Sequence, residues 1–153
     1  MSTAIKCGKL FTGTEDASLS GQTLRIENGA ITYVWPSAEA PPVTAEDTGL
    51  DYSNSFVIPG LIDTRVHLSC RNAKTEEGID LFAPVEYRAL REMHSAQKVL
   101  KGGFTSLVDP TTTRIVSLAI RDAIQSGLFV RPTVTTSGRQ ITIRQGLSDW
   151  YPT

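Results

Sequence analysis

Residues 57–68 read Val-Ile-Pro-Gly-Leu-Ile-Asp-Thr-Arg-Val-His-Leu, and this stretch decides the fold that we expect. Its apolar run is bounded by a Pro-Gly pair, which is typical of a strand that is covered on both faces. Asp63, Arg65 and His67 are two residues apart, so on a strand their side chains leave the same face. The stretch therefore predicts a buried strand that carries three polar side chains to one site.

The stretch resembles the first barrel strand of the metal-dependent amidohydrolase superfamily, in which PGLID precedes two histidines spaced two residues apart. Residues 59–63 match that sequence, and His67 stands where the family has its second metal-binding histidine. Arg65 stands where the family has its first. The match is specific, and so is the departure from it.

The first part of the chain predicts a small β unit. Strand-like runs cover residues 4–11, 23–27 and 30–35, and Asn28-Gly29 between the last two favours a two-residue hairpin because both positions need a positive φ. Residues 36–54 hold Pro41-Pro42 and small or acidic residues, which indicates a loop with one short strand near residues 50–52. We assign residues 1–54 to this unit.

Residues 55–153 predict alternating strands and helices. After the first strand, residues 69–83 are polar and irregular, a loop of the kind that carries function. A helix is expected from Pro84 to Gly102-Gly103, a strand at 104–108, a helix at 115–126 capped by Thr112 or Thr113, and a strand at 129–135. This order predicts parallel β/α units with right-handed crossovers.

Two further segments are similar to the same family. Residues 103–109 resemble its second-strand signature, and residues 129–142 resemble the third strand and following loop of its imidazolonepropionase-like and prolidase-like branch. The expected fold class is α/β: a small N-terminal β-sandwich unit, then the first three β/α units of a (β/α)8 TIM-type barrel. A whole barrel takes about 250 residues, and roughly 98 follow position 55.

An incomplete barrel would leave unpaired strand edges and an apolar interior in water. We therefore expect a partner, a second polypeptide that carries the remaining strands, and an assembly of higher order. The resemblance implies that the family's C-terminal segment also completes the small β domain. The partner would then close both domains.

Composition limits the other partners. The chain has 153 residues, 40% hydrophobic and 20% charged, with a net charge of −1, which gives no electrostatic reason to expect nucleic acid or an anionic membrane. No apolar run is long enough to span a bilayer and no leader is recognisable, so we expect a cytoplasmic protein. Cys7 and Cys70 are expected as free thiols.

The resemblance implies a divalent metal, zinc first, that activates water for attack on an amide, lactam or related carbon. His67 is the metal-ligand candidate, or it hydrogen-bonds a neighbour as an ordinary barrel histidine. Asp63 and Asp109 are expected to accept hydrogen bonds at strand ends, near the site or as plain loop caps. Arg139 is a candidate contact for an anionic substrate group, or an exposed loop charge.

Arg65 cannot bind a metal, because its guanidinium has no free lone pair. Three functional alternatives remain: a one-metal site built mainly by the partner, a clamp for a substrate carboxylate or anionic intermediate, or a metal-free site in which Arg65 supplies the positive charge. A structural ion pair with buried carboxylates is a fourth.

The expected function is the N-terminal subunit or fragment of a hydrolase that acts on a C–N bond of a small-molecule substrate. Arg65, Asp63 and Arg139 are the catalytic candidates. The alternatives are a non-catalytic scaffold or binding subunit with a decayed metal site, and a processing fragment without a role of its own.

Overall fold

A computed structural model of the chain describes residues 2–69, 73–112, 114–130 and 132–146, with the backbone alone for residues 76 and 77. Three residues with sequence-based predictions lie outside the described residues: Cys70 as a free thiol, Thr113 as a helix cap and Arg131 within the third strand. The chain divides into two compact units, residues 1–59 and 60–153. Among the described helices, none is long and apolar enough to cross a membrane.

The first unit is a four-stranded sheet. Its strands are β1 (Thr3–Leu10), β2 (Leu19–Glu27), β3 (Ala30–Pro36) and β4 (Thr48–Val57), in the order β3-β2-β1-β4. β1 and β3 run antiparallel to β2, whereas β4 is parallel to β1. Asn28 and Gly29 have φ values of 51° and 78°, so the predicted hairpin is confirmed.

One expectation for this unit is wrong. β4 is a full strand of ten residues rather than a short one inside a loop. Its side chains are mostly polar and exposed, and the strand forms by backbone pairing with β1 at the sheet edge. The described strands form one sheet, and a second layer of the expected sandwich stays a prediction.

The two faces of this sheet differ. One face, which we call the apolar face, carries side chains that strand pairing places side by side: Ile5, Cys7, Leu24, Val34, Leu50 and Tyr52. Cys7 and Leu24 are buried there with Leu10, but Tyr52 remains 48% exposed. Tyr33 lies on the opposite face, stacked on Trp35 with ring centroids 4.9 Å apart.

The second unit is a parallel three-stranded sheet with helices. It contains β5 (Leu61–Asp63), α1 (Glu76–Asp80), α2 (Val85–Lys101), β6 (Phe104–Asp109), α3 (Val116–Gln125) and β7 (Thr133–Thr136). The strand order is β5-β6-β7, all parallel, as predicted. These strands form an open sheet; closure into a barrel stays a prediction.

Helix α2 supplies much of the second core. Ala96 and Val99 pack against Leu107 of β6 and Val134 of β7. The helix follows Pro84 and ends at Gly102-Gly103, where Gly103 has a φ of 90° that favours glycine. The predicted bounds of this helix are therefore confirmed.

Several predicted details of this unit are wrong. The first strand is three residues long and is not buried, since Leu61 and Ile62 are 42% and 64% exposed. β5 lies at the edge of the described sheet. The third strand begins at Thr133 instead of residue 129, and the short helix α1 interrupts the loop expected at 69–83.

The predicted cap of α3 is also wrong for Thr112. Ile115 precedes the helix and makes no side-chain capping bond. Thr112 uses its hydroxyl elsewhere, as described below.

Candidate functional site at the strand ends

The carboxyl ends of β5, β6 and β7 meet at one edge of the sheet because the strands are parallel. Pairing continues past the strands: the amide of Val66 donates to the Val108 carbonyl at 2.9 Å, and that of Thr112 donates to the Gly138 carbonyl at 3.0 Å. We call residues 65–67, 109–112 and 137–139 the strand-end site. In α/β folds this edge is where ligands usually bind.

His67 lies in this site, half-buried, beside residues that follow β6. Its Nδ1 is 3.5 Å from Thr111 Oγ1, a long hydrogen bond whose direction depends on the tautomer. Its charge also lowers the pKa of Asp109, so the two groups are close. His67 and Asp109, both singled out in the sequence, are therefore brought together.

Asp63 and Arg65 are arranged by a turn and not by a strand. β5 ends at Asp63, whose Oδ1 accepts a hydrogen bond from the Arg65 amide at 3.1 Å. The expectation that Asp63, Arg65 and His67 share one strand face is therefore wrong, because the chain leaves the strand before Arg65. Arg65 is exposed, and its guanidinium forms no ion pair with any described residue.

Arg139 is held at the same edge by its backbone. It forms an isolated parallel bridge with Thr112, and Ser137 Oγ donates a hydrogen bond to the Pro110 carbonyl. The side chain of Arg139 is exposed. The structure thus places it at the strand-end site, while its role stays a prediction.

Asp109 belongs to a group of buried polar residues, and the sequence did not single out the other members. Glu92 on α2 is fully buried, as is Asp109, and Asp80 is almost so. Thr112 Oγ1 donates to Glu92 Oε1 at 3.3 Å, and Arg88 Nη1 donates to the Asp80 carbonyl at 3.2 Å.

Burial changes the acidity of two of these carboxyls. It raises the pKa of Glu92 to about 8, helped by the charge of Asp109 and opposed by the Thr112 hydrogen bond. It raises the pKa of Asp109 to about 6, opposed by the backbone amides of Leu68 and Thr111 and by His67. Two neighbouring buried carboxyls do not both ionise readily, so at neutral pH Glu92 holds a proton.

One sequence signal pointed toward this group. Arg88 and Glu92 are four residues apart, beside the apolar stripe of α2 that includes Met93 and Ala96. Such a pair usually lies on the solvated side of a helix. In the structure the buried face of α2 includes Arg88 and Glu92. The residue pattern of a helix taken alone does not show this.

The described residues do not fit a complete metal centre. Among them, no group of three His, Cys, Asp or Glu side chains converges in a way that could hold an ion. His67 could offer Nε2 to a metal only if Nδ1 carries the proton and donates it to Thr111 Oγ1, which a hydroxyl can accept. His67 therefore stays a predicted ligand.

Comparison with known proteins finds similarity among solved structures. No protein-family model matches the chain, and no curated protein sequence matches it. Among solved structures, it is similar to a Xaa-Pro dipeptidase with bound methionine in the active site, at 26% identity and a TM-score of 0.81, over 92% of this chain and 34% of that one.

Two further structures agree. A putative prolidase from Bifidobacterium longum is 26% identical with a TM-score of 0.77, over 96% of this chain and 32% of its own. Molinate hydrolase is 27% identical with a TM-score of 0.78, over 92% and 30%. The resemblance to amidohydrolases is confirmed, and the chain spans about a third of the length of these structures, consistent with an N-terminal portion.

Proposed function

We propose that this chain supplies the N-terminal part of an amidohydrolase-like hydrolase that cleaves an amide, lactam or related C–N bond. The observation that carries the proposal is the similarity of nearly the whole chain to one third of a Xaa-Pro dipeptidase, a hydrolase of peptide bonds. The strand-end site supports it, because His67, Asp109 and Arg139 meet at the edge where such folds bind ligands.

The remaining strands come from a second polypeptide. The open sheet has three parallel strands, and the exposed Leu61 and Ile62 on β5 offer an edge and an apolar surface for further strands. Covering them removes apolar area from water and completes the walls of the strand-end site. The assembly of the two polypeptides is the proposed active species.

Arg65 acts as a clamp for a carboxylate of the substrate. It is exposed after β5, always charged, and engaged in no ion pair with a described residue, so its guanidinium is available to a ligand. Asp63 orders the turn that presents it. Arg139, on the neighbouring segment, adds a second positive charge for an anionic group.

The proposal includes a divalent ion, with zinc as the first candidate. Residues of the partner hold most of its coordination sphere, and His67 is the one ligand from this chain. Metal analysis of the assembled protein tests this. A near-stoichiometric metal content that is lower in His67→Asn supports it, and an assembled, active protein without a bound divalent ion contradicts it.

The test begins with native mass spectrometry of the purified protein, followed by denaturation to identify its polypeptides. A complex with a second chain of roughly 200–300 residues, enough for the missing units, supports the proposal. A lone, folded chain of 153 residues contradicts it. The complex is then assayed on Xaa-Pro dipeptides and N-acyl amino acids, and absence of any C–N cleavage contradicts the hydrolase.

A non-catalytic scaffold subunit is the second candidate. It is favoured by Arg65 at the position of a family histidine and by the contact of His67 with Thr111, which a structural histidine would also make. Arg65→Ala and His67→Ala separate the candidates. If both variants assemble and keep full turnover, this chain serves the assembly as a scaffold.

A further inference from the structure

The segment at residues 111–112 joins three elements of the second unit. Thr111 Oγ1 contacts His67 after β5, and the Thr112 amide donates to the Gly138 carbonyl beside Arg139. The Thr112 hydroxyl points the other way, to Glu92 Oε1 on α2. This short segment therefore connects α2 to the segments that carry His67 and Arg139.

We propose that Glu92 is a positioning residue that anchors Thr112 and, through it, fixes His67 and Arg139 at the strand-end site. The effect on turnover rests on the proposed function, whereas the effect on the geometry of His67 does not.

Burial makes this anchor rigid. Glu92 is fully buried on α2, and its side chain cannot turn into water unless the residues that cover it move. Its Oε2 has no hydrogen-bond partner among the described residues, and the hydrogen bond that Oε1 accepts from Thr112 compensates part of the cost of burial. A buried carboxyl left without partners costs free energy, which favours retention of the Thr112 bond.

Replacement of Glu92 by leucine removes the acceptor of the Thr112 hydrogen bond. The segment then loses its hydrogen bond to the Glu92 side chain, and the Thr111–His67 contact at 3.5 Å loosens with it. Glu92→Gln keeps a carbonyl oxygen of the same reach and preserves the acceptor. Thr112→Val removes the donor without changing the size of the side chain.

The experiment is histidine NMR of the protein as purified, with isotope-labelled histidine. The chain has two histidines, and the loss of one set of resonances in His67→Asn assigns both. The resonances of exposed His94 on α2 then serve as an internal control. Ser95→Ala, another buried polar position on α2, is the matched control variant.

Glu92→Leu and Thr112→Val are expected to shift the His67 ring resonances alike, and the double variant is expected to add nothing further. Glu92→Gln, Ser95→Ala and the His94 resonances are expected to stay close to the unsubstituted protein. On a cleaved substrate, kcat falls by about ten- to a hundredfold in the first two variants, with little change in KM, and Glu92→Gln restores it.

Unmoved His67 resonances in folded Thr112→Val overturn the proposal, even if Glu92→Leu fails to fold. Independent, additive shifts from the two variants overturn it as well. If the assembled protein cleaves no substrate but the shifts are coupled as expected, the positioning role stands and the hydrolase proposal fails.

Discussion

Glu92 makes stability depend on pH in a defined direction. Its pKa is about 8 in the native protein, against about 4.3 in an unfolded chain. Between these values the native state holds a proton that the unfolded state has released, so stability falls as pH rises from about 4.5 to 8. Asp109, with a pKa raised to about 6, acts in the same direction.

Glu92→Gln removes this titration and keeps the shape of the side chain. We expect the variant to gain stability relative to the unsubstituted protein between pH 5 and pH 8.5, by on the order of a few kcal/mol. Urea unfolding at both pH values measures the change. Parallel pH profiles for the two proteins would show that Glu92 is ionised in the native state.

Arg65 is expected to act on binding rather than on folding. Arg65→Ala should lower kcat/KM about ten- to a hundredfold for a substrate with a free carboxylate. This range corresponds to the roughly 1.5–3 kcal/mol that a charge-assisted hydrogen bond contributes. For the same substrate with an amidated carboxylate, kcat/KM should fall little. Steady-state kinetics on the pair measures this, and Arg121→Ala on α3, whose guanidinium pairs with Asp122, is the control. Equal losses on both substrates would exclude the clamp.

The position of a single residue could be predicted where it follows a strand that the sequence marks. His67 and Asp109 could each be placed at the end of a predicted strand, and the structure brings the two residues together. Glu92 could not be found in this way, because its burial depends on how α2 packs against β6 and β7. A lone sequence shows the helix but not its rotation about its own axis.

Elements were predictable where glycine or proline marks their ends. The hairpin at Asn28-Gly29 and the helix between Pro84 and Gly102 have such marks. β4 and β5 do not follow their patterns: β4 is polar and exposed yet fully paired, and β5 is apolar yet short and exposed. Both lie at sheet edges, where backbone pairing rather than burial decides the extent of a strand.

A substitution at Gly60 tests how closely the chain at the start of β5 packs against β6. A Cβ on Gly60 would lie 2.1 Å from Oγ1 and 2.3 Å from Cγ2 of Thr105, so Gly60→Ala forces the two strands apart. We expect a loss of about 1–3 kcal/mol, seen as a lower unfolding midpoint. Adding Thr105→Ala removes both of those atoms and should restore part of the loss.

Gly8→Ala is the matched comparison, because its Cβ would lie 2.2 Å from the Ser53 carbonyl oxygen, a backbone atom that no substitution removes. If Thr105→Ala gives no recovery in the Gly60→Ala background, the close approach of these strands is not what requires glycine.

At the scale of the molecule, apolar side chains are exposed in both units, on β5 in the second unit and on the apolar face in the first. The overall composition is ordinary, since 40% of the residues are hydrophobic. Comparing the chain length with the size of a barrel leads from the sequence to the proposal of further strands. The identity of the residues left exposed depended on strand register, which only the structure provides.

The apolar face is where we expect the proposed second polypeptide to contact the first unit. Tyr52→Lys places a charge on that face beside Cys7, and it should weaken the complex by at least tenfold in dissociation constant, because a buried unpaired charge opposes docking. Tyr33→Lys is the control, since Tyr33 is similarly exposed, at 57%, on the opposite face. Native mass spectrometry across a dilution series measures both. Equal weakening by the two substitutions, or none by either, would mean that the partner does not cover the apolar face, whereas selective loss in Tyr52→Lys locates the partner there.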